Sequence, residues 1–331
     1  MKAKDSTLSS CFTLANLMRS ASKCASSASW KRETQRFMAR RPTECERLRR
    51  EIIGGTYEPT KAERFRIVER GKPRDVLPLA FRDRVAQRCF VDNALYDAFE
   101  NTISPMTSAC AKGRGLSYAY EAVRSAIASA PGGAWCVRYD FAGYFASIPR
   151  EAACDRVSAG MDGGMGAFLS QAVGGAGVGL ELGSHVCQLL ASAYPAPMDE
   201  AVSSIPGVVG YHRYMDDGIA VCDSRASAMA VLGSVRDQAD ALGLRINEKK
   251  TVATSLNSPV TFCKMRFAKD GDSCRMNVRK QQTRRSVRHA REVRLRSERT
   301  GGIDMKPVEA SLLGYVNRGD VDLTRLLEAI R

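Results

Sequence analysis

The 331-residue chain has the composition of a globular protein, because 44% of its residues are apolar and it contains only 12 Pro and 27 Gly. No segment approaches the roughly 20 apolar residues that a membrane-spanning helix requires, and the N-terminus lacks the apolar stretch of a secretory signal. We therefore expect a cytoplasmic protein with no membrane partner. The 11 Cys form no CxxC pairs and only 3 His accompany them, so neither a zinc finger nor a disulfide scaffold is indicated.

Positive charge is concentrated in two segments. The formal net charge is +14; residues 31–50 contribute eight basic and three acidic side chains, and residues 275–299 contribute ten basic and two acidic ones. Localised positive charge is typical of a surface that binds a polyanion. Two solvated helix faces would give the same pattern, so charge alone leaves both interpretations open.

The spacing of apolar residues predicts an α+β fold in which helices back a mixed sheet. Residues 1–50 are predicted to be helical apart from a Ser-rich interruption at residues 20–29. Further helices are predicted at residues 83–99, 116–128, 189–202 and 226–242, with a long basic helix from Asp272 onward, a break at residues 301–307 and a short helix at residues 320–330. Strands are predicted at residues 64–68, 134–139, 208–214, 218–222 and 260–267.

Two acidic sites stand at the ends of predicted strands. Asp140 follows one strand, and Asp216 and Asp217 lie at the tight turn between two others. Adjacent acids at a hairpin tip usually form only a solvated turn, but here a third strand-end acid is available to meet them. Three carboxylates at one sheet edge repel one another unless cations neutralise them, and two Mg²⁺ ions about 3.5–4 Å apart can activate a 3′-hydroxyl and stabilise leaving pyrophosphate. Oxygen-only ligands favour Mg²⁺ over zinc.

Five segments between residues 45 and 320 carry short motifs. They are Lys72-Pro73-Arg74 with Phe81-Arg82-Asp83-Arg84-Val85-Ala86-Gln87 (K-x-R…DR-x-x-Q), Gly113-Arg114-Gly115 (G-R/K-G), Asp140-Phe141-Ala142-Gly143-Tyr144-Phe145 with Ser147-Ile148 (D-x-x-x-F/Y-F-x-S-I), Tyr214-Met215-Asp216-Asp217 (Y-x-D-D) and Leu244 to Thr251 (L-x-x-N-x-x-K-T). In this order they resemble the sequence boxes of reverse transcriptases. The resemblance implies an RNA-directed DNA polymerase, a nucleotidyltransferase with a right-hand fold of fingers, palm and thumb. The palm would be an antiparallel sheet backed by helices, and the thumb would be small and helical. The implied divisions are a basic N-terminal helical extension (1–50), fingers (51–133), palm with fingers-side insertions (134–271) and helical thumb (272–331).

The resemblance also implies the catalytic groups. Asp140 and Asp216 would coordinate two Mg²⁺ ions, with Mn²⁺ as an alternative; Asp217 would lie close by, and the backbone carbonyl of Phe141 would complete one coordination shell. Lys250 is implied as a general acid towards pyrophosphate. A lysine that only caps the following strand is an equally good interpretation.

Substrate contacts are implied for the nucleotide and for the RNA template with its DNA or RNA primer. Lys72 and Arg74 would neutralise the triphosphate of a dNTP, and Phe145 would exclude a ribose 2′-hydroxyl. Surface charge and ordinary core packing are the respective alternatives. Arg114 would contact nucleic acid, and the basic helix would grip the phosphate backbone through Arg284, Arg288 and Arg291.

The segment around Leu182, Gly183 and Gln188, which would contact the nascent base pair, resembles the second palm motif of diversity-generating retroelement enzymes. That branch implies error-prone synthesis and a basic pentameric accessory protein. A group II intron-like or phage-defence reverse transcriptase remains an alternative, as do an RNA polymerase and a catalytically silent nucleic-acid-binding scaffold. Three residues depart from the family patterns: Glu181 replaces the usual proline, Cys187 replaces a serine, and Lys264 stands where the primer-grip pattern F-L-G-x-x-F, which residues 262–267 resemble, has glycine.

Overall fold

Residues 7–69, 72–278 and 280–300 are described by the computed structural model. They divide into two units, each assembled from separate stretches of the chain. The first unit takes the described parts of Met1–Pro105, Phe141–Met198 and Ala239–Arg245, and the second takes those of Met106–Asp140, Asp199–Gln238 and Ile246–Arg331. No helix within the described ranges is long and apolar enough to cross a membrane.

Helices and antiparallel sheets make up the described chain, as expected for an α+β fold. The helices are α1 (Leu8–Cys11), α2 (Leu14–Ser26), α3 (Arg32–Ala39), α4 (Arg41–Ile53), α5 (Phe81–Phe90), α6 (Tyr96–Thr102), α7 (Leu116–Ser129), α8 (Tyr144–Ser147), α9 (Arg150–Ser158), α10 (Gly163–Ala172), α11 (His185–Ala193), α12 (Ala196–Ser203), α13 (Arg225–Ala241) and α14 (Lys280–Thr300). A π-helical turn at Val91–Leu95 joins α5 to α6. The strands are β1 (Phe65–Glu69), β2 (Lys72–Val76), β3 (Trp135–Asp140), β4 (Val208–Tyr214), β5 (Asp217–Cys222), β6 (Val252–Ser255), β7 (Val260–Phe262), β8 (Met265–Asp270) and β9 (Ser273–Val278).

The break predicted in the Ser-rich stretch at residues 20–29 is confirmed only in its last part, because α2 ends at Ser26 and α3 begins at Arg32. Helix α2 continues to Ser26, and its serine hydroxyls bond to carbonyls of the preceding turn. Ser22 donates to the carbonyl of Met18 at 3.1 Å, and Ser26 donates to that of Lys23 at 2.8 Å. The prediction was wrong for residues 20–26 alone, because a hydroxyl that is satisfied within the helix does not end it.

An aromatic cluster joins the N-terminal helices to the rest of the first unit. The ring of Phe12 lies 6.2 Å from that of Phe90 and 4.8 Å from that of Phe168. Tyr57 packs on Phe168 at 5.4 Å, and its hydroxyl donates to the buried carboxylate of Asp83 at 2.9 Å. The residues before the first strand therefore share a core with α5 and α10.

The second unit contains two antiparallel sheets. The four-stranded sheet has the order β4-β5-β3-β6, and the three-stranded sheet has the order β7-β8-β9. Helix α7 packs against both sheets, and its Val123 and Ile127 share one buried core with Ile219, Phe262 and Phe267. That core fixes the strands whose ends carry the predicted acids.

The strand predicted at residues 260–267 is wrong, because these residues form a hairpin of β7 and β8. Its turn is made by Cys263 and Lys264, whose φ angles are +44° and +73°. Positive φ is the conformation that glycine adopts most easily, which explains why the family pattern has glycine where this chain has Lys264.

The long basic helix also begins later than predicted. The preceding residues form β9, in which Cys274 and Val278 are buried while Arg275 is exposed, an alternation that suits a strand. Helix α14 begins at Lys280. The break predicted at residues 301–307 and the helix predicted at residues 320–330 lie outside the described residues.

The remaining predicted helices and strands in the described ranges are confirmed, although residues 189–202 divide between α11 and α12. The division falls at Pro195, which has no N–H to continue the first helix. Five further elements were not predicted from the sequence: β2, α8, α9, α10 and β6.

Candidate active site

The edge of the four-stranded sheet brings the predicted acids together. Asp140 ends β3 and is the register partner of Asp217, which begins β5. Asp217 is also opposite Tyr214 at the end of β4, so only Met215 and Asp216 form the turn between these strands. The turn is tight, and Met215 adopts a φ of +55°. One acid from β3 and two from the β4–β5 turn therefore share one end of the sheet.

Asp140 is held by the segment that precedes β6. Its Oδ2 accepts hydrogen bonds from Lys250 Nζ at 2.7 Å and from Asn247 Nδ2 at 3.1 Å. The backbone N–H of Asn247 also donates to the Asp140 carbonyl at 2.8 Å. The Lys250 side chain is 54% exposed, so this ammonium reaches Asp140 from the solvent side.

Asp217 has a different environment. Its pKa is raised from the ordinary 3.8 to about 6, mainly by burial and also by the negative charges of Asp216 and Asp140, against a hydrogen bond that lowers it. That hydrogen bond comes from the backbone N–H of Cys263, which donates to Asp217 Oδ2 at 3.1 Å. The strained turn between β7 and β8 thus places a backbone hydrogen-bond donor next to Asp217 in the predicted site.

The donor set fits a divalent cation by its chemistry. Among the described residues, no group of three or more His, Cys, Asp or Glu side chains is already arranged as a metal site. Burial is the largest cause of the raised pKa of Asp217, the negative charges of Asp216 and Asp140 add to it, and a cation at this edge would favour the ionised carboxylates. Carboxylate oxygens are the ligands that hard divalent cations prefer.

Sequence analysis assigned no role to Asn247 or Cys263, although both contact the predicted acids. Asn247 stands in the segment that resembles L-x-x-N-x-x-K-T, and this resemblance was the available signal. Cys263 contacts Asp217 through its backbone N–H and also through its side chain, and neither contact gives a signal in the sequence.

The first unit contains the residues predicted to contact the nucleotide. Phe145 is half-buried, and its carbonyl accepts from the N–H of Leu180 at 2.7 Å. Gly183 adopts a φ of +105°, and a side chain there would lie 3.5 Å from Val76 at the end of β2. Phe141 is buried and stacks on Tyr144 with ring centroids 5.0 Å apart.

Other predicted contact residues of this unit are at the surface. Arg74 in β2, Leu182 and Gln188 are exposed or half-buried. Lys72 begins β2, and its side chain lies outside the described residues. Glu181, one of the departures from the family pattern, forms an ion pair with Arg64, which links this segment to the residues before β1.

The basic side chains predicted to bind nucleic acid belong to the second unit. Arg114 Nη1 donates to the carbonyl of Thr107 at 3.1 Å, so this arginine supports its own loop. On α14, Ala290 is buried and three predicted phosphate contacts are exposed: Arg284, Arg288 and Arg291. The exposed arginines leave a cationic face on this helix.

The family described as reverse transcriptase (RNA-dependent DNA polymerase) matches residues 67–288. This span is more than half of the chain, and it contains the three acids, Asn247, Lys250 and Cys263. No curated protein matches the chain.

Proposed function

We infer the function from one premise: the chain belongs to the reverse transcriptase (RNA-dependent DNA polymerase) family. It is an RNA-directed DNA polymerase, a nucleotidyltransferase that uses a nucleic-acid template and primer with nucleotide substrates, and the family generally uses divalent metal ions. The observation that carries the assignment of the site is the register of Asp140 with Asp217 beside the Asp216 turn.

Asp140, Asp216, Asp217 and the carbonyl of Phe141 would hold two Mg²⁺ ions, or Mn²⁺ as the alternative. When bound, such ions lower the pKa of an attacking 3′-hydroxyl and stabilise charge on the leaving pyrophosphate. The raised pKa of Asp217, caused mainly by burial and in part by the charges of Asp216 and Asp140, supports this assignment, because a bound cation would stabilise the ionised carboxylate.

Lys250 supplies the proton for the leaving group in this proposal. Its ammonium hydrogen-bonds Asp140 at 2.7 Å, and its half-exposed, flexible stem allows it to turn towards an anionic pyrophosphate oxygen. Donation of the ammonium proton to that oxygen would neutralise the charge that develops as the bond breaks.

The right-hand organisation follows the same resemblance. The four-stranded sheet with its acidic edge would be the palm (134–271), the exposed β1–β2 hairpin with Lys72 and Arg74 would belong to the fingers (51–133), and α14 would lie in the thumb (272–331). The cationic face of α14 supports contact with template–primer phosphates. Residues 1–50 remain a basic helical extension in this scheme.

The finer assignment is a reverse transcriptase of a diversity-generating retroelement, with a basic pentameric protein as accessory partner. Leu182, Gly183 and Gln188 support it through their resemblance to that branch. Phe145 would act as the ring that excludes a ribose 2′-hydroxyl, because it is half-buried and its backbone is held by Leu180. A group II intron-like or phage-defence enzyme is the alternative.

Primer extension tests the function directly. Full-length protein with Mg²⁺ and poly(rA)/oligo(dT) should incorporate dTTP, and it should incorporate dTTP in preference to rUTP. Retained RNA binding without extension, with the accessory gene product added, would instead favour a silent scaffold. Preference for the ribonucleotide would favour an RNA polymerase.

A further inference from the structure

A fully buried ion pair lies beside the acidic turn in the second unit. The side chains of Arg213 and Asp199 are both 0% exposed, and they form a two-pronged pair: Nε to Oδ1 and Nη2 to Oδ2, each at 2.7 Å. Thr107 closes the pair from a third side, because its hydroxyl donates to Asp199 Oδ2 at 2.9 Å. Charges are costly to bury unless all of their hydrogen-bonding atoms are paired, and here they are paired.

The pair extends to the turn that carries Asp216. The remaining guanidinium nitrogen of Arg213, Nη1, donates to the carbonyl of Met215 at 3.0 Å. Met215 is the residue with a φ of +55°, a conformation that costs energy for a side chain other than glycine. The arginine therefore holds the strained peptide that immediately precedes Asp216.

The same network extends to the residues beside the other two acids. Tyr211 donates its hydroxyl to Asp199 Oδ1 at 2.6 Å, and the Tyr139 hydroxyl lies 2.5 Å from that of Tyr211. Because Tyr211 uses its proton on Asp199, Tyr139 is the donor between the two hydroxyls. Tyr139 immediately precedes Asp140 in β3.

The ring of Tyr139 covers Gly218, the residue after Asp217. A Cβ at position 218 would lie 2.0 Å from the Tyr139 ring, so the ring occupies space that only glycine leaves free. Tyr139 and Gly218 are register partners, directly after the pair of Asp140 and Asp217. One connected set of side chains thus contacts a neighbour of each of the three acids.

We propose that Arg213, Asp199, Tyr211 and Tyr139 are positioning residues that fix the relative placement of the three acids for cation binding. This inference rests on the proposed role of those acids. Its basis is the location of the network, since a buried ion pair alone adds little net stability compared with apolar residues of equal size. Placement matters because a misplacement of 1 Å or less at a reacting centre lowers the rate severely.

The sharpest test removes one hydroxyl. Tyr211→Phe breaks the link between Tyr139 and Asp199 but keeps the ring. Tyr194→Phe is the matched control, because Tyr194 is also buried and its hydroxyl donates to the carbonyl of Leu242 at 2.8 Å in the first unit. Tyr211→Phe loses two buried hydrogen bonds and Tyr194→Phe loses one, so Tm should fall in both variants and fall further in Tyr211→Phe.

Only Tyr211→Phe should affect the site. We expect its kcat in primer extension to fall about tenfold with little change in the KM for dTTP, a loss that fits a misplacement of less than 1 Å. The Mg²⁺ concentration required for half-maximal activity should rise as well. Without substrates, the rise in Tm produced by Mg²⁺ or Mn²⁺ should require more cation in Tyr211→Phe than in Tyr194→Phe, because a ligand stabilises a protein according to its affinity.

A second variant avoids an unpaired buried charge. Arg213→Met combined with Asp199→Leu removes both charges at similar volume, which proteins usually tolerate. We expect a folded protein with the same loss of kcat and of cation affinity. Wild-type kcat and wild-type cation dependence in both this variant and Tyr211→Phe would overturn the proposal.

The control for the premise is Asp216→Asn. Full activity in that variant would refute the assigned catalytic role of the acids, whereas loss of activity there with no effect of Tyr211→Phe would refute only the positioning role. The cation-dependent Tm needs no polymerase activity, so it decides on the positioning role in either case.

Discussion

The β1–β2 and β4–β5 hairpins have the same antiparallel pairing, but their side chains differ in burial. In β1–β2, Phe65 and Val68 are 49% and 72% exposed, and the cross-strand pair Arg66–Asp75 lies at the surface. In β4–β5, the last four residues of β5 are buried, and the ion pair that supports the turn is completely excluded from solvent. The β1–β2 hairpin therefore depends mainly on its own backbone hydrogen bonds, whereas the β4–β5 hairpin is held by the buried core on which it packs.

This difference in burial predicts that β4–β5 is rigid and that β1–β2 is less restrained. Groups that must hold charges at fixed distances sit on the hairpin that is packed from both sides, while the hairpin proposed to meet incoming substrate has little core to restrain it. Packed interiors resist small displacements and exposed strands do not. Variants in the two hairpins should therefore differ in both the size and the kind of effect.

The largest effect should come from the acidic turn itself. Asp216→Asn should lower primer extension by about 1,000-fold, because the loss of a cation ligand removes several kcal/mol of transition-state stabilisation. Far-ultraviolet circular dichroism and RNA binding should be unchanged. Asp237→Asn, an exposed acid on α13, is the control and should keep full activity.

The acidic edge was predictable because it combines strand ends, adjacent acids and family boxes in one order. The buried ion pair that supports this edge was not predictable. Arg213 belongs to a strand and Asp199 to a helix, and neither residue type nor spacing reveals that a helix acid reaches a strand arginine. Such pairing depends on tertiary packing, which local patterns do not encode.

The errors in two predicted elements, by contrast, have local causes. Arginines at helical spacing after residue 283 masked the strand alternation of β9, and the continuous apolar character of residues 260–267 hid the turn at Cys263 and Lys264. Where a residue must adopt positive φ without being glycine, composition gives no turn signal. The fold class is thus readable from the sequence, but the donor from Cys263 to Asp217 is not.

The next largest effect is the change in the free energy of unfolding, and in its pH dependence, that should follow from Asp217→Asn. Because burial raises the pKa of Asp217 to about 6, the native state holds its proton more tightly than the unfolded state, where the pKa is near 3.8. The stability contributed by this group is full below pH 3.8 and is lost as the pH rises through 6. Asp217→Asn should therefore stabilise the cation-free protein at pH 7.5 by up to about 3 kcal/mol while abolishing activity.

Urea unfolding at several pH values, with EDTA present, measures this directly. The gain from Asp217→Asn should shrink towards zero near pH 4, where the wild-type carboxyl is also protonated. The amide oxygen can still accept from the N–H of Cys263, so the turn between β7 and β8 should persist. A variant that is destabilised equally at all pH values would contradict the raised pKa of Asp217.

A smaller change, this time a loss of stability, should follow from adding a side chain at Gly218, where the Tyr139 ring lies. Gly218→Ala places a methyl group within 2.0 Å of that ring, and overpacking of this kind usually costs about 1–3 kcal/mol. Gly233→Ala in α13 is the matched control, since nothing lies within 4 Å of its added Cβ and alanine favours a helix. We expect the two variants to shift Tm in opposite directions; equal shifts would show that β3 and β5 adapt without strain.

Selection between sugars should respond more modestly. Phe145→Ala opens space where the proposed ring would meet a 2′-hydroxyl, so the ratio of rUTP to dTTP incorporation should rise about tenfold, near 1.4 kcal/mol of discrimination. Phe145→Tyr keeps the ring and should keep the wild-type ratio. An unchanged ratio in an active Phe145→Ala enzyme would make Phe145 a packing residue of the first unit.

The smallest effect should come from the exposed hairpin. Arg66 contacts Asp75 at 2.8 Å, and this hydrogen bond lowers the pKa of the carboxyl, but both side chains are more than half exposed. Water and salt screen such a pair, and ordering two mobile side chains offsets the attraction. A double-mutant cycle of Arg66→Ala and Asp75→Ala should therefore give a coupling within experimental error at 0.15 M salt. A coupling that survives high salt would mean that β1–β2 is held as firmly as β4–β5, and the contrast between the two hairpins would be wrong.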